Sequence, residues 1–387
     1  MSMEKYDVVV VGGSCAGSAA ATTLAKAGRN TLIIDKAKFP RQKLCGGMIT
    51  EKTVRLLKKI YAVSFENLID SHYNAFGVFH ISHGKVSSHR TEHTLYMIHR
   101  DDFDDFFLKE AMRAGCTAYL GDRVVSVRKG IISTAEGKQV AANFIIGADG
   151  CHSIVRKAVH STIKDERSPI GLEVNIPYDN LSFYPSPEKI FPWIFFGYVK
   201  YGYGWLFPKK EFATVGIAGL AHHDDKNLLA AFKLLLARVC VDPARLKGEI
   251  KGHPVPLNNC FEEPGIENIL LVGDAARLVE PLTGEGIYFA VLSGSLAAKA
   301  ILTQGDHAHI YNSFVKQHIN SHFWQARLAR AIYFNRLINA YAMHKMKGNA
   351  KWCKYFFGLL SGEMDYIGYF KTVLKDRTVY PSLQHRY

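Results

Sequence analysis

The feature that most constrains the fold is a strand–turn–helix–strand unit within the first 35 residues of the 387-residue chain. Asp7 to Val11 is a short valine run, and the small-residue stretch from Ser18 to Ala27 predicts a helix. A second apolar run begins at Thr31 and ends at Asp35. A helix that joins two neighbouring strands in so few residues is typical of a parallel βαβ unit. The sequence therefore predicts an α/β fold with a Rossmann-type domain.

The turn between this strand and helix carries the glycine pattern of a dinucleotide site. It reads GGSCAG over residues 12–17 and departs from GxGxxG only at Ser14. Gly12 permits the tight turn and Gly17 lets helix and strand pack closely, whereas the missing glycine normally lets a pyrophosphate approach the backbone. Asp35 follows at the end of the second strand, where a carboxylate accepts ribose hydroxyls. We expect Gly12, Ser14, Ala16, Gly17 and Asp35 to bind a dinucleotide.

The remaining sequence predicts three regions around this unit. The middle of the chain alternates aromatic and β-branched residues and favours a mainly antiparallel sheet, and the last 80 residues favour helices. We predict one strand from Val124 to Ile132 and a loop rich in His and Ser up to Thr94. The predicted regions are a discontinuous dinucleotide-binding domain (1–75, 95–165, 262–305), an inserted substrate domain (76–94, 166–261) and a helical C-terminal region (306–387).

Five further segments, in order along the chain, carry a family resemblance. They are FPRQKLCGG (39–47), IHRDDFD (98–104), GADG (147–150) with Ser153 and Arg156, GDAA (273–276) and PLTGEGI (281–287). Together they resemble the geranylgeranyl reductase family of FAD enzymes, whose domain plan resembles that of p-hydroxybenzoate hydroxylase. The resemblance implies that FAD is also contacted by Cys45, Gly46, Met48, Arg100, Val124, Asp149, Asp274, Gly284, Gly286 and Ile287.

A run of alternating aromatic residues marks the predicted substrate site. Tyr203, Trp205 and Phe207 fall on one face of a strand, followed directly by Pro208 and Lys209. This segment resembles YxWxFPK, which accompanies the lipid pocket of isoprenoid-reducing members of the family. Ordinary sheet core is the alternative interpretation of the aromatic residues. We expect all five residues to bind substrate.

The resemblance implies an FAD-dependent oxidoreductase that reduces isolated C=C bonds of a geranylgeranyl or other prenyl chain by hydride transfer from reduced flavin. The alternative is an FAD-dependent monooxygenase, a hydroxylase or halogenase, acting on a hydrophobic substrate. Cys45 is the candidate catalytic residue, with a role in tuning the flavin or delivering a proton; it is equally consistent with a small residue that permits close approach. No second GxGxxG is visible, so the reductant is NADPH, NADH or a reduced ferredoxin-type protein.

Charge and composition bear on partners and location. The net charge is +13, and residues 321–387 hold 11 Lys/Arg against 3 Asp/Glu, which suits an anionic membrane surface or an acidic electron-donor protein. We expect no nucleic-acid partner, because no recognised module is present. The lysines between 345 and 354 alternate with Trp352 and Phe356, which fits either a bilayer contact or a buried aromatic stripe. The chain begins without a signal-peptide pattern, so we expect a cytoplasmic protein, peripheral on the inner face of the membrane if it docks there.

No metal site is expected. Six histidines lie between His72 and His99, and a His-His-Asp-Asp cluster occupies 222–225. Neither stretch has the regular spacing of a zinc-binding helix, and polar loops explain both.

Overall fold

The computed structural model describes residues 3–160, 169–183, 190–219, 227–246, 249–257, 263–347, 349–362 and 364–375. The described chain forms two eight-stranded sheets with helices packed on both. Strands and helices are numbered along the chain.

The first sheet is built on the predicted βαβ unit. Its strands are β1 (Glu4–Val11), β2 (Thr31–Asp35), β6 (Thr117–Leu120), β7 (Val124–Arg128), β8 (Ile131–Thr134), β9 (Gln139–Gly147), β15 (Gly265–Ile266) and β16 (Ile269–Leu271). β1 lies between β2 and β9 and pairs with both in parallel. Val8, Val9 and Val10 are fully buried, as expected for a central parallel strand covered on both faces. The carboxyl ends of β1, β2 and β9 therefore meet at one edge of the sheet.

The second sheet is mainly antiparallel, and among the described strands its one parallel pair joins residues 77–80 to residues 193–196. Its strands are β3 (Met48–Thr50), β4 (Ile69–His80), β5 (Gly84–Ile98), β10 (Ile170–Pro177), β11 (Trp193–Phe196), β12 (Gly202–Pro208), β13 (Phe212–Gly219) and β14 (Lys251–Pro254). Their order is β14-β10-β13-β12-β11-β4-β5-β3, so the aromatic strand β12 lies at the centre.

The helices divide between the two sheets. They are α1 (Cys15–Lys26), α2 (Glu51–Tyr61), α3 (Arg100–Arg113), α4 (Ile154–Val159), α5 (Leu228–Val239), α6 (Ile287–Leu302), α7 (His307–Val315), α8 (Ser321–Tyr333), α9 (Arg336–Met346), α10 (Ala350–Leu360) and α11 (Tyr366–Lys375). Residues of α1, α3, α6 and α7 share a core with the first sheet, whereas α8, α9, α10 and α11 pack on β4, β5 and β11. Trp352 and Phe356 belong to this second core and are 5% and 4% exposed, so the aromatic stripe is buried.

The second sheet starts earlier in the chain than we predicted. The expected domain boundaries at 75/76 and 94/95 fall inside β4 and β5, and the expected loop is a hairpin of these two strands. Phe76, Val86 and Leu95 are buried in the core beneath the C-terminal helices. That burial comes from residues far along the chain, so the local His- and Ser-rich composition did not reveal it.

The predicted strand from Val124 to Ile132 is also a hairpin, made of β7 and β8. Lys129 and Gly130 have φ values of 50° and 77°, which form the tight turn. No helix in the described ranges is long and apolar enough to cross a membrane.

Candidate active site

Helix α1 starts at the carboxyl edge of the first sheet, where the glycine turn holds it close to β1. A β-carbon on Gly17 would lie 1.8 Å from the Gly12 carbonyl oxygen, so no side chain fits there. Ser14, Cys15 and Ala16 line a cavity of about 290 Å³, and no side chain caps the helix. An uncapped helix N-terminus offers unpaired N–H donors and partial positive charge, which suit a phosphate group.

Asp35 lies beside this turn at the end of β2. Its carboxyl oxygens accept hydrogen bonds from the backbone N–H groups of Gly13, at 2.7 Å, and Ala37, at 2.8 Å. Each carboxylate oxygen has a further acceptor position. Asp35 lies outside the cavity lining, and the predicted ribose contact stays a prediction.

A buried ionic cluster supports the turn. Asp104 on α3 accepts hydrogen bonds from Arg100 Nε at 3.0 Å, Arg100 Nη2 at 2.9 Å and Ser14 Oγ at 2.8 Å. Arg41 Nη1 lies 3.0 Å from the same carboxylate. Burial alone would raise the pKa of Asp104, but the Arg100, Lys43 and Arg41 charges hold it well below its usual range. Ser14 occupies the position of the second fingerprint glycine, and its hydroxyl is bound within this charged network.

The turn before α6 is organised around a buried carboxyl group. Glu280 is 1% exposed and accepts hydrogen bonds from the Leu282 and Thr283 backbone N–H groups and the Thr283 hydroxyl. Tyr366 on α11 donates to it at 2.5 Å, and the Tyr203 hydroxyl donates to the Thr283 carbonyl. The backbone N–H groups of Leu282 and Thr283 and the Thr283 carbonyl therefore already have hydrogen-bond partners within the protein. The cavity is left with Gly284, Gly286 and the start of α6, whose N-terminus also lacks a side-chain cap.

Glu285 in the same turn is tied to helix α2. Its carboxyl group lies 2.5 Å from Lys52 Nζ and accepts a hydrogen bond from Thr50 Oγ1 at 3.2 Å. Burial raises the pKa of Glu285 in spite of the Lys52 charge. The turn is therefore held from two directions, by α2 and by α11.

The two other predicted acidic residues have different positions. Asp274 lines the cavity, 3.8 Å from Lys43 Nζ. Asp149 lies behind the lining, where it accepts from the Ile154 backbone N–H at 2.6 Å at the start of α4. Arg156 on that helix donates to the Ala275 carbonyl at 2.8 Å, which joins the GADG and GDAA segments.

The loop at Cys45 separates the cavity from a buried lysine. Cys45 and Gly46 line the cavity, and the Cys45 backbone N–H donates to Glu173 Oε1 at 2.9 Å. Gly47 has a φ of +74°, and Lys209 Nζ lies 3.1 Å from where its β-carbon would be. Burial lowers the pKa of Lys209. Lys209 therefore lies behind the loop and outside the lining.

The aromatic strand β12 supplies one wall of the cavity. Tyr203, Trp205 and Phe207 all line it, and the Trp205 and Phe207 rings are stacked with centroids 6.2 Å apart. Gly216 on β13 makes room for the indole, because a β-carbon there would lie 2.2 Å from Trp205 Cζ2. The same wall continues through Ile194 and Phe196 on β11.

Most of the predicted site residues meet at this cavity. Those that line it are Ser14, Ala16, Cys45, Gly46, Met48, Arg100, Asp274, Gly284, Gly286, Ile287, Tyr203, Trp205 and Phe207. Those that lie outside the lining are Gly12, Gly17, Asp35, Val124, Asp149, Pro208 and Lys209. Val124 is the first residue of β7 and is 6% exposed. The sequence reasoning did not assign roles to Asp104, Glu173 and Glu280. Asp104 ends the IHRDDFD segment and Glu280 directly precedes PLTGEGI, so these two had a signal in their position, whereas Glu173 had none.

The described part of the chain contains no group of three or more His, Cys, Asp or Glu side chains arranged to hold a metal ion. Residues 222–225 lie outside the described residues.

The cavity fits the FAD that the resemblance predicts. Two helix N-termini without side-chain caps, those of α1 and α6, contribute residues to its lining. FAD needs positive ends at two places, the pyrophosphate and the pyrimidine edge of the isoalloxazine, where the reduced ring carries negative charge. The residues present therefore match both charged parts of the cofactor.

Comparison with known proteins agrees with this assignment. The model of an FAD binding domain matches residues 5–196. An uncharacterized protein of Methanosarcina barkeri is 34% identical over 311 residues, which cover 78% of this chain and 76% of the relative. A menaquinone reductase of Mycolicibacterium smegmatis is 29% identical and covers 84% of this chain and 83% of its own. A chloroplastic geranylgeranyl diphosphate reductase of Arabidopsis thaliana is also 29% identical, with coverages of 78% and 67%.

Among solved structures, a geranylgeranyl bacteriochlorophyll reductase-like protein of Thermoplasma acidophilum shares the fold. It has a TM-score of 0.75 at 22% identity and covers 96% of this chain and 99% of its own. The FAD-binding model covers the N-terminal half of the chain, and the relatives extend the similarity over most of its length. The chain belongs to the geranylgeranyl reductase family of FAD-dependent oxidoreductases.

Proposed function

We propose that this protein reduces isolated C=C bonds in a prenyl chain of a lipid, a quinone or a prenyl diphosphate. The observation that carries the proposal is an apolar wall that continues directly from the flavin end of the cavity. It is formed by Phe76, Ile194, Phe196, Trp205, Phe207 and Phe356. A polyunsaturated hydrocarbon chain has little to offer a site except apolar surface and shape, so such a wall suits it.

The residues of the chain contribute mainly by positioning and by excluding water. Reduced FAD, when bound, supplies the hydride. An isolated alkene has no carbonyl group to polarise, so the site has to hold the chain at the cofactor in a geometry close to that of reaction. Trp205 and Phe207 provide a rigid surface for this purpose. The turn at Glu280, braced by Tyr366, keeps the start of α6 in place beside the cavity.

The test is an anaerobic single turnover of the FAD-loaded, dithionite-reduced protein with geranylgeranyl diphosphate, a geranylgeranyl lipid and menaquinol, whose ring is already reduced. We expect flavin reoxidation without oxygen and a product heavier by two hydrogen atoms per turnover. Reoxidation that occurs only in air, with an oxygenated product, would instead establish the monooxygenase alternative.

We further propose that the electron donor reaches the flavin from outside the chain as NADPH, NADH or a reduced ferredoxin-type protein. The support is the presence of one GxGxxG-like turn, at residues 12–17, which the FAD site uses. Anaerobic stopped-flow mixing of the oxidised protein with each donor should give fast flavin reduction with one class. Equal, slow reduction by all three would contradict a dedicated donor.

A peripheral membrane contact is proposed for the C-terminal helices. Trp324 and Leu328 lie one turn apart on α8 and are 64% and 50% exposed, while α8 ends at Tyr333 in the cavity lining. The basic balance of residues 321–387 complements an anionic bilayer, from which a long lipid can enter. Trp324→Ser with Leu328→Ser should reduce flotation with phosphatidylglycerol vesicles, whereas Val241→Ser, at a 65% exposed site in another region, should not. Equal flotation of all three proteins would contradict this surface.

A further inference from the structure

We propose that Glu173 is the acid that supplies the proton when the C=C bond is reduced. The proposal rests on the proposed function, because hydride addition from reduced FAD to one alkene carbon requires a proton at the other. The O–H bond of the Glu173 carboxylic acid would break, a C–H bond would form, and the resulting carboxylate would be reprotonated from solvent. No acidic residue of β10 was expected at the site from the sequence.

The position of Glu173 in the sheet places its side chain on the cavity face. Along the register across the sheet, Glu173 pairs with Gly216, Gly216 with Trp205 and Trp205 with Ile194. Glu173, Trp205 and Ile194 all line the cavity. Because Gly216 has no side chain, the indole of Trp205 extends over it toward Glu173. On its other side Glu173 pairs with Lys251 of β14, so the carboxyl group lies where the row changes from charged to apolar residues.

The contacts of Glu173 leave it able to donate a proton. Its Oε1 accepts the hydrogen bond from the Cys45 backbone N–H at 2.9 Å, which fixes the carboxyl group beside the loop at the flavin end. No salt bridge joins it to a cation in the described parts of the chain. An acid that keeps one oxygen engaged as an acceptor can present the other, protonated, to the cavity.

The surroundings of Glu173 favour its protonated form. The positively charged groups that face it are Lys209 at the end of β12, Lys251 on the neighbouring β14 and Arg100 at the start of α3. Burial raises the pKa of Glu173 more than these charges and the Cys45 hydrogen bond lower it. The acid is therefore protonated to higher pH than an exposed glutamate, which general-acid catalysis requires.

The test compares wild type, Glu173→Gln and Glu173→Asp in anaerobic single turnovers over a range of pH. Gln keeps an oxygen that accepts from Cys45 N–H but has no acidic proton, so the loop should remain in place. We expect the flavin reoxidation rate of Glu173→Gln to fall by roughly 10²- to 10⁴-fold, with FAD affinity unchanged and partial recovery in Glu173→Asp. Glu211→Gln, at an exposed position in the turn between β12 and β13, serves as the control and should match wild type.

Two readouts separate proton donation from a structural role. The wild-type rate should fall as pH rises through the pKa of Glu173, and this limb should be absent in Glu173→Gln. The infrared spectrum of the FAD-loaded protein, recorded below the pKa of Glu173, should contain a protonated carboxyl band that Glu173→Gln lacks. If wild type reoxidises with substrate and Glu173→Gln matches it, Glu173 is not the acid although the proposed function stands. If wild type fails with every prenyl compound, the proposed function fails and this role with it.

Discussion

At the scale of single residues, Asp104 is the group on which the start of the nucleotide site depends. It is 1% exposed and compensates Arg100, which is 7% exposed. Removing one partner of a buried ion pair leaves the other charge without compensation, at a cost of about 3–5 kcal/mol. The same carboxylate also receives the Ser14 hydroxyl, so its loss disturbs the glycine turn directly.

We predict that Asp104→Asn lowers the free energy of unfolding at neutral pH by about 3–5 kcal/mol and weakens FAD binding. The pKa of Asp104 is lower in the folded protein than in the unfolded chain, where it is about 3.9. The contribution of Asp104 to the free energy of unfolding is therefore complete above the unfolded-state pKa and is lost as pH falls below it. Urea unfolding of both proteins should show a difference that is constant near neutrality and shrinks in acid. A difference independent of pH would contradict the ionic role.

A second residue-scale prediction concerns the space beneath Trp205. In Gly216→Ala the new methyl group would lie 2.2 Å from the indole, so the ring has to leave its place in the cavity wall. We expect KM for a prenyl substrate to rise about tenfold, with FAD affinity retained and a stability loss of about 1–3 kcal/mol. Gly358→Ala on α10 is the control, because its nearest neighbour would be 3.7 Å away and Gly358 lies outside the cavity lining. Equal KM values for the two variants would remove Trp205 from the substrate site.

At the scale of secondary-structure elements, helix α11 is connected to the turn before α6. The link is the hydrogen bond from Tyr366 to Glu280, and Glu280 in turn orders the backbone at Leu282 and Thr283. The C-terminal region therefore helps to shape the part of the site assigned to the isoalloxazine.

We predict that Tyr366→Phe weakens FAD binding by about tenfold or more, because a hydrogen bond to a charged acceptor contributes about 1.5–3 kcal/mol. The reduction potential of the bound flavin should change as well, since the resemblance assigns to the start of α6 the contact with the ring that becomes negatively charged. Titration with FAD and an equilibrium dye potential would measure both quantities. Tyr341→Phe, at a 45% exposed tyrosine of α9, is the control. If the reduction potential is unchanged in Tyr366→Phe, the hydrogen bond to Glu280 contributes to stability only and does not influence the flavin.

The elements that the sequence predicted correctly are those with a local signal. The valine run, the glycine turn and Asp35 lie within one βαβ unit, whose pattern and geometry are both short-range. The hairpin of β4 and β5 was missed because its burial depends on helices more than 200 residues further along the chain. Glu173 was missed for a similar reason, and so was the contact between Asp104 and the glycine turn, although Asp104 itself ends the IHRDDFD segment. Their roles arise from contacts with Cys45 and Ser14, at sequence separations of 128 and 90 residues.

At the scale of the whole molecule, the cavity is lined by several parts of the chain that are distant in sequence. The glycine turn and the α6 turn close one end. The other end is formed by Phe196 on β11, Tyr333 at the end of α8 and Phe356 on α10. The Tyr333 and Phe356 rings are stacked with centroids 5.8 Å apart, and Phe196 lies 6.4 Å from Phe356. The C-terminal helices thus supply part of the apolar lining of the cavity.

We predict that Phe356→Ala changes chain-length preference. Removing the ring lengthens the apolar end of the cavity, so the kcat/KM ratio for geranylgeranyl over farnesyl substrates should change by about tenfold, equivalent to about 1.4 kcal/mol. The substitution should also cost about 3–5 kcal/mol of stability, as expected for a buried phenylalanine. Phe357→Ala separates the two effects. Phe357 is equally buried at 5% exposure but packs on Phe76, with centroids 5.6 Å apart, and lies outside the cavity lining. It should lose similar stability with an unchanged ratio; a shift of the ratio in both variants would show that α10 acts through general loosening and not as the end wall.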